Sequence, residues 1–143
     1  MINTFPIAKK FWLKFTEAVK TFELTVKSDF EAAHYIKNYP GKCARLHGHN
    51  WIVEAVVRGN ELNELGILVD FKDLKAALNK VLDELDHQYL NELEIFAAKN
   101  PTAENLAKEI FNQLATSEIF EGAAKLTAVK VYESPKSCVI YTP

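Results

Sequence analysis

Residues 46–58 read LHGHNWIVEAVVR, and His47, His49, Trp51, Val53, Ala55 and Val57 occupy every second position. That is the period of a β-strand, whose side chains point by turns to opposite faces. A strand is therefore predicted from about Leu46 to Arg58, its apolar face ending in two histidines. Residues 22–34, FELTVKSDFEAAH, repeat the arrangement. Phe22, Leu24 and Val26 alternate with Glu23, Thr25 and Lys27, and the same parity runs through Phe30 and Ala32 to His34. The turn-rich NYPGK between the two stretches predicts sequential antiparallel strands. Their short connection brings His34 near His47 and His49.

Working outward, Asp70 reads as an N-cap for a helix carrying Leu74, Leu78, Val81, Leu82 and Leu85 at the 3.6-residue period, with Asp86 and His87 at its end. A second helix is expected to start at Asn100-Pro101 and to present Ala103, Leu106, Ala107, Ile110 and Leu114. Strands from about Leu126 to Glu133 and from Ser137 to Tyr141, joined through Pro135, complete the chain. The fold class is α+β: a four-stranded antiparallel sheet in the order ββααββ, with two helices on one face. Residues 1–20 form an additional unit. Ala8, Phe11, Trp12, Phe15 and Val19 recur at helical spacing among lysines, so an amphipathic N-terminal helix is expected there, docked on the protein's own body or on another subunit. Residues 21–143 read as a single catalytic domain.

Composition narrows the function classes. With 143 residues, 48% hydrophobic, 25% charged and a formal net charge of -2, the chain is neither a disordered segment nor a basic nucleic-acid binder. Cys43 and Cys138 form no CxxC, so a reducing cytoplasmic setting is expected rather than a disulfide framework. Neither a membrane-spanning run nor a signal peptide's apolar core is present in the sequence.

The chemistry gathers around the histidines. Three imidazoles suit zinc, and a three-nitrogen site keeps a fourth position for water or substrate. Such a metal acts as a Lewis acid on a hydroxyl or carbonyl oxygen. Cys43 lies between Lys42 and Arg45, whose charge favours a thiolate that can serve as a base, whereas Cys138 is expected in the core. Asp86 beside His87 suits a carboxylate–imidazole acid–base pair. Glu133 ends the apolar row of Val129 and Val131, and if enclosed it needs a ligand with adjacent N–H donors, such as the guanidine-like edge of a heterocycle. Thr102 and Glu104 suit the cap and first turn of the second helix.

With these residues in place, FEAAH, GKCARLHGHN, GILVDF, LDHQYLN, NPTAEN and VYES, spread over about residues 22 to 141, closely resemble the 6-pyruvoyltetrahydropterin synthase / 6-carboxytetrahydropterin synthase family. The resemblance implies the tunnelling fold (T-fold), assembled as trimers that pair into hexamers, with active sites between subunits. It implies Zn2+ on His34, His47 and His49, Cys43 as the proton-abstracting thiolate, Asp86 and His87 as the acid–base pair, and Glu133 as the anchor of the pterin ring, with Thr102 and Glu104 nearby. The substrate so implied is 7,8-dihydroneopterin triphosphate, with Cys43 and His87 moving protons as triphosphate leaves. Three residues separate Cys43 from HGH. That gap resembles the bacterial carboxy-forming enzymes of queuosine biosynthesis, whose reaction also releases acetaldehyde; the pyruvoyl-forming enzymes typically have a longer one. A zinc hydrolase or hydratase using the three histidines alone, and a non-catalytic metal-stabilised module, stand as alternatives.

Overall fold

The computed structural model describes residues 19–143. The expected N-terminal helix of residues 1–20 lies almost wholly outside them. Two long strands, β1 (Phe22–His34) and β2 (His47–Gly59), pair antiparallel over their full length, from Phe22 opposite Gly59 to His34 opposite His47. Their alternation is decided by burial. Val26, Phe30, Ala32 and His34 on β1, and Trp51, Val53, Ala55 and Val57 on β2, all turn to one side and are almost wholly enclosed.

Two helices cover that side. The first, α1 (Phe71–Leu82), is capped by Asp70, whose carboxylate accepts the Lys72 N–H, and it buries Leu74, Leu78 and Leu82. The second, α2 (Ala103–Leu114), buries Leu106, Ala107, Ile110, Phe111 and Leu114 against the sheet. Between them lies a two-residue strand, β3 (Gln88–Tyr89), and after them come β4 (Lys125–Ser134) and β5 (Ser137–Tyr141). The sheet order is β3-β1-β2-β4-β5. Among the described residues no helix is long and apolar enough to cross a membrane.

Three expectations need correction. The sheet is five-stranded and mixed rather than four-stranded and antiparallel, because β3 runs parallel to β1. Leu85 and Leu90 bury themselves on either side of this stretch, and the His87 N–H donates to the Glu31 carbonyl at 2.6 Å, so the chain is drawn along the edge of β1. Two residues carry no periodicity for a sequence reading to detect. The second helix begins after Thr102, whose hydroxyl accepts the Asn105 N–H; Pro101 precedes the cap. Asn100 instead braces the loop after β1, accepting the Lys37 N–H and donating to the Lys37 carbonyl. Cys138 is exposed, because it pairs with Tyr132 on the side away from the helices.

That far side holds a nearly buried carboxylate. Burial pushes Glu54 upward, but hydrogen bonds from Lys27 at 2.9 Å and Lys130 at 3.4 Å outweigh it and hold the acid below its usual range. A charge so enclosed needs such partners.

Candidate metal centre and adjoining dyad

His34 is the last residue of β1 and His47 the first of β2, and the register sets them side by side. His49, two residues on, returns to the same face. Two of the three imidazoles are oriented from behind. The His34 Nδ1 lies 2.7 Å from the Pro101 carbonyl and the His47 Nδ1 lies 2.7 Å from the Arg45 carbonyl. A carbonyl can only accept, so both rings carry their proton on Nδ1 and leave Nε2 as a lone pair. Those two Nε2 atoms are 3.1 Å apart. Tetrahedral zinc bound at ordinary Zn–N lengths sets its nitrogens about 3.3 Å apart.

The third nitrogen fits the same reading. The Nε2 of His49 is buried with no hydrogen-bond partner among the described residues, 3.4 Å from a carboxylate oxygen of Glu133. Ligand atoms of His34, His47, His49 and Glu133 all lie within 4.8 Å of one another. Lone pairs facing each other in an enclosed space repel; a cation among them removes the repulsion and satisfies the orphaned atom. Trp51 backs the cluster, its ring edge-on to His34 and steeply inclined to His49 with centroids at 5.0 and 4.9 Å, and its indole N–H donates to the Ala32 carbonyl. Burial lowers the His34 and His49 pKa values, partly opposed by the Pro101 carbonyl at His34 and by Glu133 at His49. Lowering favours the neutral rings that metal binding requires.

Asp86 and His87 do touch. One Asp86 oxygen accepts the Glu31 N–H at 2.9 Å, and the other lies 2.8 Å from the His87 Nδ1. The carboxylate is thereby tied to the edge of β1 and orients the ring. His87 has φ of 55°, in the left-handed region that non-glycine residues seldom enter. Its N–H bond to Glu31 holds it there. Hydrogen bonding to the Glu31 N–H and to His87 lowers the Asp86 pKa, while Asp86, with a smaller contribution from Glu31, raises that of His87. Both His87 and His49 line an open cavity of about 600 Å³, together with Glu31, Gly48, Asn50 and Tyr89. The cavity thus runs beside the dyad and along one member of the histidine cluster.

The remaining expected residues are placed less closely. Cys43 is half-buried in a short 3-10 turn, Lys42–Ala44, where its carbonyl accepts the Ile36 N–H. It stands outside the four-residue group. Glu133, expected to meet a heterocycle, stands beside the histidines. Thr102 caps α2 and Glu104 is exposed in its first turn. Sequence reasoning missed the two carbonyls, of Pro101 and Arg45, that orient the imidazoles, and Glu31, which holds the dyad. Backbone acceptors have no residue-type signature; only the chain path reveals them.

The sequence and the fold have known counterparts. The family model described as 6-pyruvoyl tetrahydropterin synthase matches residues 23–143. The chain belongs to this family. Among curated family relatives, the 6-carboxy-5,6,7,8-tetrahydropterin synthase of Bacillus subtilis is 35% identical over 129 residues, covering 86% of each chain. The Synechocystis protein of the same name is 37% identical over 117 residues, covering 78% of this chain and 86% of the relative. Among solved structures, the 6-pyruvoyl tetrahydropterin synthase of Caenorhabditis elegans superposes with a TM-score of 0.76 at 27% identity, covering 87% of this chain and 97% of the other. Membership of the pterin synthase family makes this chain one of a family of enzymes, and the α+β fold is the one its members share.

Proposed function

We propose that this chain is a zinc-dependent 6-carboxytetrahydropterin synthase. It converts 7,8-dihydroneopterin triphosphate and water to 6-carboxy-5,6,7,8-tetrahydropterin, acetaldehyde and triphosphate, a lyase reaction of queuosine (7-deazaguanine) biosynthesis in which a carbon–oxygen bond breaks as triphosphate leaves and a carbon–carbon bond breaks as acetaldehyde leaves. The observation that carries the reading is the convergence of three imidazole Nε2 atoms, two of them with their protons committed to backbone carbonyls. The carboxy-forming branch is supported by the names of the bacterial relatives and by the three residues between Cys43 and His47.

His34, His47 and His49 hold the zinc, which when bound supplies Lewis-acid polarisation of the substrate's side-chain oxygens. Cys43 takes the proton from the adjacent carbon as a thiolate. His87 exchanges protons on the other side of the substrate, with Asp86 fixing its ring and stabilising its protonated form. Glu133 anchors the pterin, both oxygens meeting the adjacent N–H donors of the ring, and Thr102 and Glu104 stand near it. A carboxylate kept on the metal would fill the fourth position that catalysis needs, so Glu133 serves the ring rather than the ion. The working form is a cytoplasmic homohexamer, a dimer of trimers with active sites between subunits. The open cavity beside His87 and His49 supports a site that a neighbouring subunit completes.

Two substitutions test the assignment. Cys43→Ala is expected to retain a full complement of zinc and to lose at least about a hundredfold in turnover of dihydroneopterin triphosphate. Unchanged turnover would move the protein to the class of zinc hydrolases, which need only the three histidines. Glu133→Gln is expected to keep the metal and raise KM; loss of zinc instead would make Glu133 a ligand.

A further inference from the structure

The stretch FEAAH supplies His34 to the metal centre, but its second residue, Glu31, has no part in the reaction proposed above. Alternation with the enclosed Phe30 and Ala32 turns the Glu31 side chain outward on β1. The residue is nonetheless fixed. Its N–H donates to Asp86 at 2.9 Å and its carbonyl accepts the His87 N–H at 2.6 Å, so the dyad grips Glu31 by both backbone groups. That grip leaves a carboxylate oxygen of Glu31 3.8 Å from the Nε2 of His87, whose Nδ1 lies 2.8 Å from Asp86. A carboxylate therefore stands at each nitrogen of the ring.

Two carboxylates decide the charge of an imidazole between them. An ionised carboxylate accepts and never donates, so each favours a proton on the nitrogen it faces, and a ring protonated on both nitrogens is the imidazolium. The rest of the cavity offers little opposition. Its other titratable groups are Tyr89 of β3 and His49 of β2, which burial favours as the neutral ring, and neither lysine nor arginine lines it. The Glu31 and His87 side chains are 66% and 74% exposed, so water weakens their attraction and Asp86 does the greater part in charging the ring. What Glu31 adds is a negative charge at Nε2, the nitrogen left free to meet a substrate.

We infer that Glu31 is a positioning residue for His87: facing Nε2 while Asp86 faces Nδ1, its carboxylate keeps both ring nitrogens protonated, so that His87 enters the reaction as an acid. The Nε2–H bond breaks, its electron pair stays on nitrogen, and the proton passes to the substrate atom on that side. The neutral ring keeps its Nδ1 proton on Asp86 and regains the other from water. Cys43 takes one proton from carbon, so one proton enters the substrate and one leaves it. Glu31 does not hold the proton itself, since an ordinary glutamate titrates about two pH units below an ordinary histidine. The destination of the proton rests on the reaction proposed above; the charge on the ring does not.

NMR titration of the His87 ring, combined with turnover of dihydroneopterin triphosphate by the zinc-loaded full chain, provides the test for the parent, Glu31→Gln and Glu31→Asp. Neither variant touches the backbone bonds that hold residue 31. At pH 6.5, where an ordinary histidine is half charged, most parent molecules should have both His87 nitrogens protonated. Glu31→Gln should lower the midpoint and carry the alkaline limb of kcat to lower pH with it, while KM stays within about twofold of the parent's. Glu31→Asp, which keeps the charge, should restore much of both. A midpoint that Glu31→Gln leaves in place, or one that moves while the alkaline limb stays, would overturn the inference. Equal losses in the two variants would do so as well, making Glu31 a structural residue of the strand edge. A parent that leaves the pterin untouched sinks the reaction and the acid role with it, whereas the midpoint, which needs no substrate, still decides whether Glu31 charges the ring.

Discussion

At the scale of single residues, the arrangement turns on which nitrogen of each histidine bears the proton. The Pro101 and Arg45 carbonyls take the Nδ1 protons of His34 and His47, and this makes a cation site of what would otherwise be a packed aromatic cluster. Replacing any one of His34, His47 or His49 by Ala is expected to lower zinc content to less than half of the parent's, measured by elemental analysis after dialysis. Loss at only one of the three would mean that the cluster does not act as a unit. The dyad makes a prediction about pH. His87 is raised above its ordinary 6.5, so its contribution to stability is complete below that value and fades as pH rises through the raised one. Asp86 is lowered beneath its ordinary 3.8, so its contribution is present above that value and fades as pH falls through the lowered one. The pair therefore supports the edge of β1 in the interval between. In NMR titration the His87 ring should titrate above 6.5, and Asp86→Asn should bring it down. A midpoint unmoved by the substitution would show that the carboxylate does not govern the ring.

At the scale of elements, the long strands were legible from side-chain alternation alone, since thirteen residues with one largely enclosed face leave a clear period. The parity of Phe30, Ala32 and His34 led directly to the histidine at the end of an apolar row, and the same logic placed His47 and His49. The Asp70 cap was equally plain. What the sequence did not disclose had no local pattern: β3 exists because backbone groups of Glu31 bind the Asp86-His87 turn. For the start of α2 the sequence offers two caps: Asn100-Pro101 has the composition of one, but the tertiary bonds of Asn100 to Lys37 commit it elsewhere. Thr102 performs the capping, so Thr102→Ala is expected to cost about 1 kcal/mol in thermal or urea unfolding. Because Pro101 precedes that cap and orients His34, the same variant should also bind zinc more weakly. Unchanged stability and affinity would separate the helix start from the metal centre.

At the scale of the whole molecule, the metal centre borders the core at Trp51 but does not hold it together. Trp51, Val53, Val57, Leu74, Leu78, Leu106 and Ile110 are fully enclosed without help from any ion. Chelation is accordingly expected to abolish turnover while leaving the far-ultraviolet circular dichroism intact; unfolding on chelation would favour a metal-stabilised module with no chemistry of its own. The proposed hexamer needs an edge at which copies can join, and β5, which borders β4 alone, offers one. Light scattering should then report a mass near six chains. The family assignment rests on most of the chain, but the reaction rests on the site. The most direct measurement is incubation of the zinc-loaded protein with 7,8-dihydroneopterin triphosphate, followed by mass analysis of the pterin and an acetaldehyde assay. The expected products are 6-carboxy-5,6,7,8-tetrahydropterin and one acetaldehyde per turnover; 6-pyruvoyltetrahydropterin without acetaldehyde, or an untouched substrate, would overturn the proposed reaction.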